Sequence, residues 1–190
     1  MADYTVNSGS NPGHYLSGSA VPQLRYYQES TAASTAVIKL GDIVSNDTVT
    51  TAKFRIVRAP MGGGNGANIL ATTNVLGIAM EASTSDGSTS GLDDAGQNRR
   101  IGVAIATAEA EFVGYLIGAN NVTGSSLVGT NKAVRFDSTN KIYAIDSTNS
   151  TSALLGVQIV GIPDGTDGST NGPVIFRFLS TWTSPVVRQA

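Results

Sequence analysis

Residues 74–82 read NVLGIAMEA and residues 153–161 read ALLGVQIVG, and each run leads into a near-identical hydrophilic stretch, DGSTSG at 86–91 and DGSTNG at 167–172. Apolar residues at alternate positions describe a strand, because strand side chains point to opposite faces with a period of two. The Asp-Gly stretches that follow carry turn chemistry. The match extends upstream. Gly41-Asp42-Ile43-Val44 precedes the alternating segment KFRIV at 53–57, and Asn131-Lys132-Ala133-Val134 precedes KIYAI at 141–145. Both halves therefore run turn, strand, turn, strand, Leu-Gly strand, DGST turn, strand. Two copies are too few for a solenoid. They fit two halves of one closed barrel, or the two sheets of a sandwich, each covering the apolar face of the other.

Composition agrees with many short strands. In a chain of 190 residues, long enough for one ordinary domain, 41% of residues are hydrophobic and only 14% charged, with 22 glycines. Glu and Lys, which favour helices, are scarce, and a Gly-, Ser-, Thr- and Asn-rich remainder suits turns. Strands are expected near residues 36–40, 50–57, 75–82, 100–106, 109–117, 133–136, 141–145, 154–161 and 174–179. Within 53–57, Phe54 and Ile56 alternate with Lys53 and Arg55, the pattern of a half-buried antiparallel strand. No helix pattern competes, so the expected class is all-β: a single compact antiparallel β-barrel or sandwich built from two similar halves. The expected division is an extended N-terminal arm at residues 1–35, a β-domain at 36–180 with half-repeats at 36–107 and 123–180, and a C-terminal tail at 181–190. Residues 1–35 earn the reading of an arm by lacking either period and by their punctuation with Gly9, Pro12, Gly13, Gly18 and Pro22.

Charge and residue inventory narrow the function classes. A formal net charge of -2 argues against attraction to nucleic acid or anionic lipid, both of which call for a basic surface. The absence of cysteine rules out disulfides and thiolate metal sites. With no apolar run long enough for a membrane span and no basic-then-apolar leader, the chain is expected to be made in the cytoplasm and not to enter a membrane. The three Asn-x-Thr triplets at Asn46, Asn121 and Asn149 are what chance supplies in such a sequence. The single histidine, His14, lies between Gly13 and Tyr15 with no second ligand or nucleophile near it in sequence. The loop GGGNG at 62–66 lacks the ending of a phosphate loop. Asp93 with Asp94, and Asp164 with Asp167, lack the spacing of a calcium loop and read as turn residues. No catalytic, cofactor or metal site is expected, and the chain reads as a non-enzyme.

A family resemblance rests on these segments. The order of a polar N-terminal arm, Leu40-Gly41-Asp42-Ile43-Val44, the Leu-Gly-Ile-Ala strand at 76–79 and the Gly-Val-Ala-Ile strand at 102–105 resembles the head decoration, or cement, proteins of tailed bacteriophages. KIYAID, LLGVQIVGI and NGPVIFRFL are likewise similar to small all-β capsid-associated proteins, so the likeness spans residues 36–180. It implies a β-barrel of the tulip type that forms homotrimers over the seams between capsomers, bound to the major capsid protein on the outside of the virion, with the arm lying along the shell and no cofactor. The 91–100 excursion departs from that pattern. Residues expected to contact the capsid or a neighbouring protomer are Tyr15, Leu16, Leu24, Arg25, Tyr26 and Tyr27 of the arm, whose apolar side chains would hold it down, and Trp182 of the tail, which fits either a core plug or an interface anchor. The competing readings are a receptor- or glycan-binding β-module of a virion fibre, another structural virion subunit, and a hydrolase. The first of these calls for exposed aromatics, and aromatics make up only 6% of the chain.

Overall fold

The computed structural model describes residues 15–16, 23–29, 38–46, 55–59, 61–62, 69–70, 74–82, 100–137, 140, 142–149 and 154–183. The remainder of the arm with His14, the GGGNG loop beyond Gly62, the first DGST stretch, Asp93, Asp94 and the end of the tail lie outside the described residues. The chain is all-β, as the alternation predicts.

Its first half comprises β2 (Leu24–Glu29), β3 (Ile43–Asn46), β4 (Arg55–Arg58), β7 (Val75–Ala79) and β8 (Arg100–Ile105), which close into a barrel in the order β2-β4-β3-β7-β8. The second half comprises β9 (Glu111–Ile117), β10 (Asn131–Asp137), β11 (Ile142–Asp146), β12 (Leu155–Gly161) and β13 (Pro173–Phe178). Its pairings also close a ring, β9-β11-β10-β12-β13 and back to β9. Both rings have the same construction. The first strand runs parallel to the third (β2 with β4, β9 with β11), and every other pairing is antiparallel. The repeat seen in the sequence is thus a duplicated five-stranded barrel, and each half closes on itself rather than completing its twin.

Three shorter strands decorate the second barrel. β1 (Tyr15–Leu16) adds to β9, and the hairpin of β5 (Met61–Gly62) and β6 (Ile69–Leu70), inserted between β4 and β7, adds to β10.

Two parts of the expected layout shift. Residues 24–29, expected in the arm, form the strand that closes the first barrel, and the second barrel starts at Glu111 rather than at 123. Both strands precede the matching segments, and their sequences, LRYYQE and EFVGYLI, share nothing that would reveal equivalence. The strand expected at 36–40 also moves. Gly41 takes a left-handed φ of 84°, turning the chain so that the ladder runs through Ile43–Asn46, while Ile38 sits buried in the first core.

The Leu-Gly match locates the right strands but not the right residues. In β7 the register skips Leu76, because Val44 pairs with Gly77 and Ser45 with Val75. In β12 it skips Gly156, because Lys132 pairs with Val157 and Ala133 with Leu155. The bulge recurs at one place in both barrels, so Leu76, not Gly77, is the counterpart of Gly156.

Cross-strand rows decide which core each residue enters. Val44, Ala79, Val103 and Ile105 lie on the inner row of the first barrel and form its core with Ile38, Ile56, Leu76 and Ile101. Ile43, Ile78 and Ala104, one residue out of step, form the opposite row and join a second cluster with Phe112, Leu116, Phe176, Phe178 and Val157 of the second barrel. β7 is consequently buried on both faces, which explains its unbroken apolar run VLGIA. The second cluster is shared by both barrels, while the first barrel keeps a separate core of its own. Within the shared cluster Phe112, Phe176 and Phe178 pack at centroid separations of 5.6 to 5.9 Å.

Candidate interaction surface

Strand β2 presents two apolar side chains outward, Leu24 and Tyr26. Leu24 and Tyr26 are 51% and 56% exposed. They flank Gly102 of β8, where an added Cβ would touch both Leu24 Cδ1 and Tyr26 Cε1 at 3.4 Å and Glu81 Oε1 at 3.5 Å. Glu81 also accepts the Gly102 N–H at 3.3 Å. A leucine, a tyrosine and a carboxylate thus surround bare backbone on the outside of the first barrel. The intervening residues point the other way: Tyr27 packs against the first core, and Arg25 is half-buried, its Nε donating to Gln23 Oε1 at 3.1 Å.

The other residues expected at a partner contact divide. Tyr15 and Leu16 stand opposite Val113 and Phe112 as strand β1. Trp182 is only 6% exposed and belongs to the shared core, which corrects its reading as an interface anchor. Its ring lies over Gly156, where a Cβ would come within 2.8 Å, and its carbonyl accepts the Val75 N–H of the first barrel at 2.9 Å. The bulge needs a residue without a side chain at 156 to admit the indole, so Trp182 plugs the joint between barrels.

A second feature, missed in the sequence, bridges the barrels. Arg58 Nε lies 3.4 Å from Asp42 Oδ2 and donates to Tyr143 Oη at 3.2 Å, and Tyr143 Oη donates to the Ala59 carbonyl. The guanidinium also sits 4.1 Å from the centroid of the Phe136 ring. Asp42, 1% exposed, further accepts the Lys39 N–H at 2.8 Å. Burial pushes its pKa up to about 6, outweighing the Arg58 and Lys39 charges and the Lys39 hydrogen bond that pull it down. Burial, followed by the Asp42 charge, raises the Tyr143 phenol above its ordinary value as well. The second barrel holds an ion pair of its own, between neighbouring strands: Arg135 of β10 lies 3.4 Å from Asp146 of β11. Alternating patterns treat a charged residue in a strand as solvent-facing, so nothing local marks Asp42 or Arg58 as a buried pair.

Among the described residues no three His, Asp or Glu side chains gather as a metal-binding group, and no helix is long and apolar enough to cross a membrane. Asp164 and Asp167 flank Gly165 and Gly168, both at left-handed φ, in the loop from β12 to β13. Thr123 organises that loop by donating to the Thr166 and Ser169 carbonyls and accepting the Ser169 N–H.

Fold and surface together define a tandem β-barrel protein with two exposed apolar side chains on one strand. Comparison with protein-family models, curated proteins and solved structures found no match.

Proposed function

We propose that the chain is a structural subunit of a virus particle, a head decoration protein of a tailed phage. In this reading it lies on the outer surface of the virion, contacts the major capsid protein, associates as a homotrimer and bridges neighbouring shell subunits mechanically. The sequence resemblance supports the reading, and so does the construction of the molecule. Two barrels joined by a shared apolar cluster, a plugged joint and a largely buried ion pair make a stiff body suited to carrying load between attachment points. The single observation that carries the proposal is the exposed pair Leu24 and Tyr26 on a strand locked into a closed barrel, since an ordered apolar pair facing water is a natural anchor for a partner. Several such contacts engaged together turn weak single attachments into durable ones.

The test uses point variants, because deleting residues 1–35 would remove β2 and open the first barrel. Full-length protein and the Leu24→Ser/Tyr26→Ser variant are mixed with undecorated heads, pelleted and quantified. The variant should keep its circular dichroism and melting temperature yet lose at least about tenfold in affinity, near 1.4 kcal/mol. Heads that take up neither protein, or both equally, would sink the proposal. Glycan-array binding that depends on Tyr26 would move the assignment to a receptor-binding module.

A further inference from the structure

The two barrels match strand by strand, so each position in one ring has a counterpart in the other. Setting the bulges together aligns Val44 and Ser45 with Lys132 and Ala133, and Gly77 with Val157. Followed round each ring, the alignment closes on itself. From β3 it lays Asn46 opposite Ile56 on Val134 opposite Ile145, and by way of β8 and β2 it lays Glu29 opposite Ile56 on Leu116 opposite Ile145.

One row of this alignment changes character between the barrels. Ile43, Ile78 and Ala104 stand side by side on β3, β7 and β8, pointing away from the first barrel's own core. Each is at most 1% exposed, because the row lies in the apolar cluster shared with the second barrel. Their counterparts on β10, β12 and β13 are Asn131, Gln158 and Arg177, again side by side. Asn131 is exposed, and Gln158 and Arg177 are half-buried. The row that joins the first barrel to the second is therefore rewritten in polar residues on the second.

That polar row is satisfied from within. Arg177 Nε and Nη2 donate to Gln158 Oε1 at 3.1 and 2.6 Å, and Gln158 Nε2 donates to the Gly129 carbonyl at 3.3 Å. On its other side Arg177 stands opposite Glu111 of β9, a favourable cross-strand pairing of charges. With its hydrogen bonds met and no apolar area to bury, the row suits water better than a partner.

The joint itself is heterologous. The first barrel enters it with the apolar row, whereas the second uses different residues, Phe136 and Tyr143 against Arg58 and Ala59 among them. Between identical copies a contact of this kind extends into rings or open fibres. Tandem arrays end such growth with a terminal unit whose outer face is polar. We infer that Asn131, Gln158 and Arg177 form an end cap, which closes the second barrel to the packing that joins it to the first and so keeps a second copy of this chain from extending the array. The cap does not rest on the decoration role, and it leaves association through other surfaces untouched.

The test restores the first barrel's residues on the second. Full-length protein, the variant Asn131→Ile/Gln158→Ile/Arg177→Ala and the control Lys39→Ile/Glu109→Ile/Ser126→Ile, which adds three apolar side chains at scattered exposed positions, are compared by sedimentation velocity over a range of concentrations. The unaltered protein and the control should each keep one sedimentation coefficient. The restored variant should at least about double in weight-average mass and keep growing with concentration, as a non-closing contact requires. Gln158→Ile alone, which leaves Arg177 opposite Glu111, should shift the same way by less and carries the test if circular dichroism shows the triple variant unfolded. A folded variant that sediments like the unaltered protein would overturn the inference. So would a control that associates as strongly, since stickiness alone would then suffice, or a variant that stops at twice the unaltered mass, since the row would then be pairing with itself. Concentration-dependent growth of the unaltered protein would show that the face is not capped at all.

Discussion

Replacing Asp42 by Asn should remove a pH dependence of stability whose sign is the reverse of that of an ordinary ion pair. Asp42 in the folded chain has a pKa of about 6 against a model value of 3.8, so folding favours its protonated form. A group raised in this way contributes stability that is fully present below the unfolded pKa and is lost as pH rises through the folded one. The complete loss corresponds to about 3 kcal/mol, and the portion falling between pH 5 and 7.5 to about 1.4 kcal/mol, or roughly 3 to 6 °C in melting temperature for a chain of this size. Because the carboxyl is nearly inaccessible to solvent, screening does little to reduce the effect. Asn keeps an acceptor for the Lys39 N–H and Arg58 but cannot ionise. The difference in stability between the unaltered protein and Asp42→Asn, measured by calorimetry or urea unfolding, should be smallest at pH 4 and should grow in favour of Asn up to pH 7.5. Using the difference cancels titration elsewhere, His14 included. A difference that instead grew in favour of Asp with rising pH would mean that Arg58 overcomes the burial cost, and would refute the reasoning.

Gly156→Ala should cost about 1 to 3 kcal/mol, because its Cβ would collide with the Trp182 ring that the bulge admits. Trp182→Ala should cost about 3 to 5 kcal/mol by emptying the joint. Since Trp182 is the single tryptophan, blue-shifted fluorescence that moves red in Gly156→Ala would report the displaced indole directly, whereas an unshifted spectrum with unchanged stability would contradict the packing. Gly168→Val should destabilise by about 1 to 2 kcal/mol through backbone strain alone, because φ there is 78° and nothing lies within 4 Å of the added Cβ. A urea midpoint equal to that of the unaltered protein would rule that strain out.

The all-β class and the internal duplication were legible in the sequence because both rest on local signals: a period of two, Asp-Gly turns, and a pattern written twice. Strands β7, β10, β11 and β12 were found in this way, although their ends shifted, whereas the strand expected at 36–40 lies instead at Ile43–Asn46. Strand β2 stayed hidden in the arm because the polar residues around LRYYQE give it no bounded alternating run; it is a strand because β8 supplies a ladder and a core for Tyr27. The displaced glycine equivalence has a similar origin. Leu-Gly looks the same in both copies, but Gly77 lies in a ladder and Gly156 in a bulge, and the difference arises from the indole that must fit at 156. Trp182 offered two readings in sequence, and only the shared core chose between them. Asp42 and Arg58, likewise, look solvent-facing until two barrels close over them. Periodicity reports which face a residue takes within its own strand; whether that face meets water, its own core or a second barrel depends on contacts between residues far apart in the chain, and these exist only once the chain has folded.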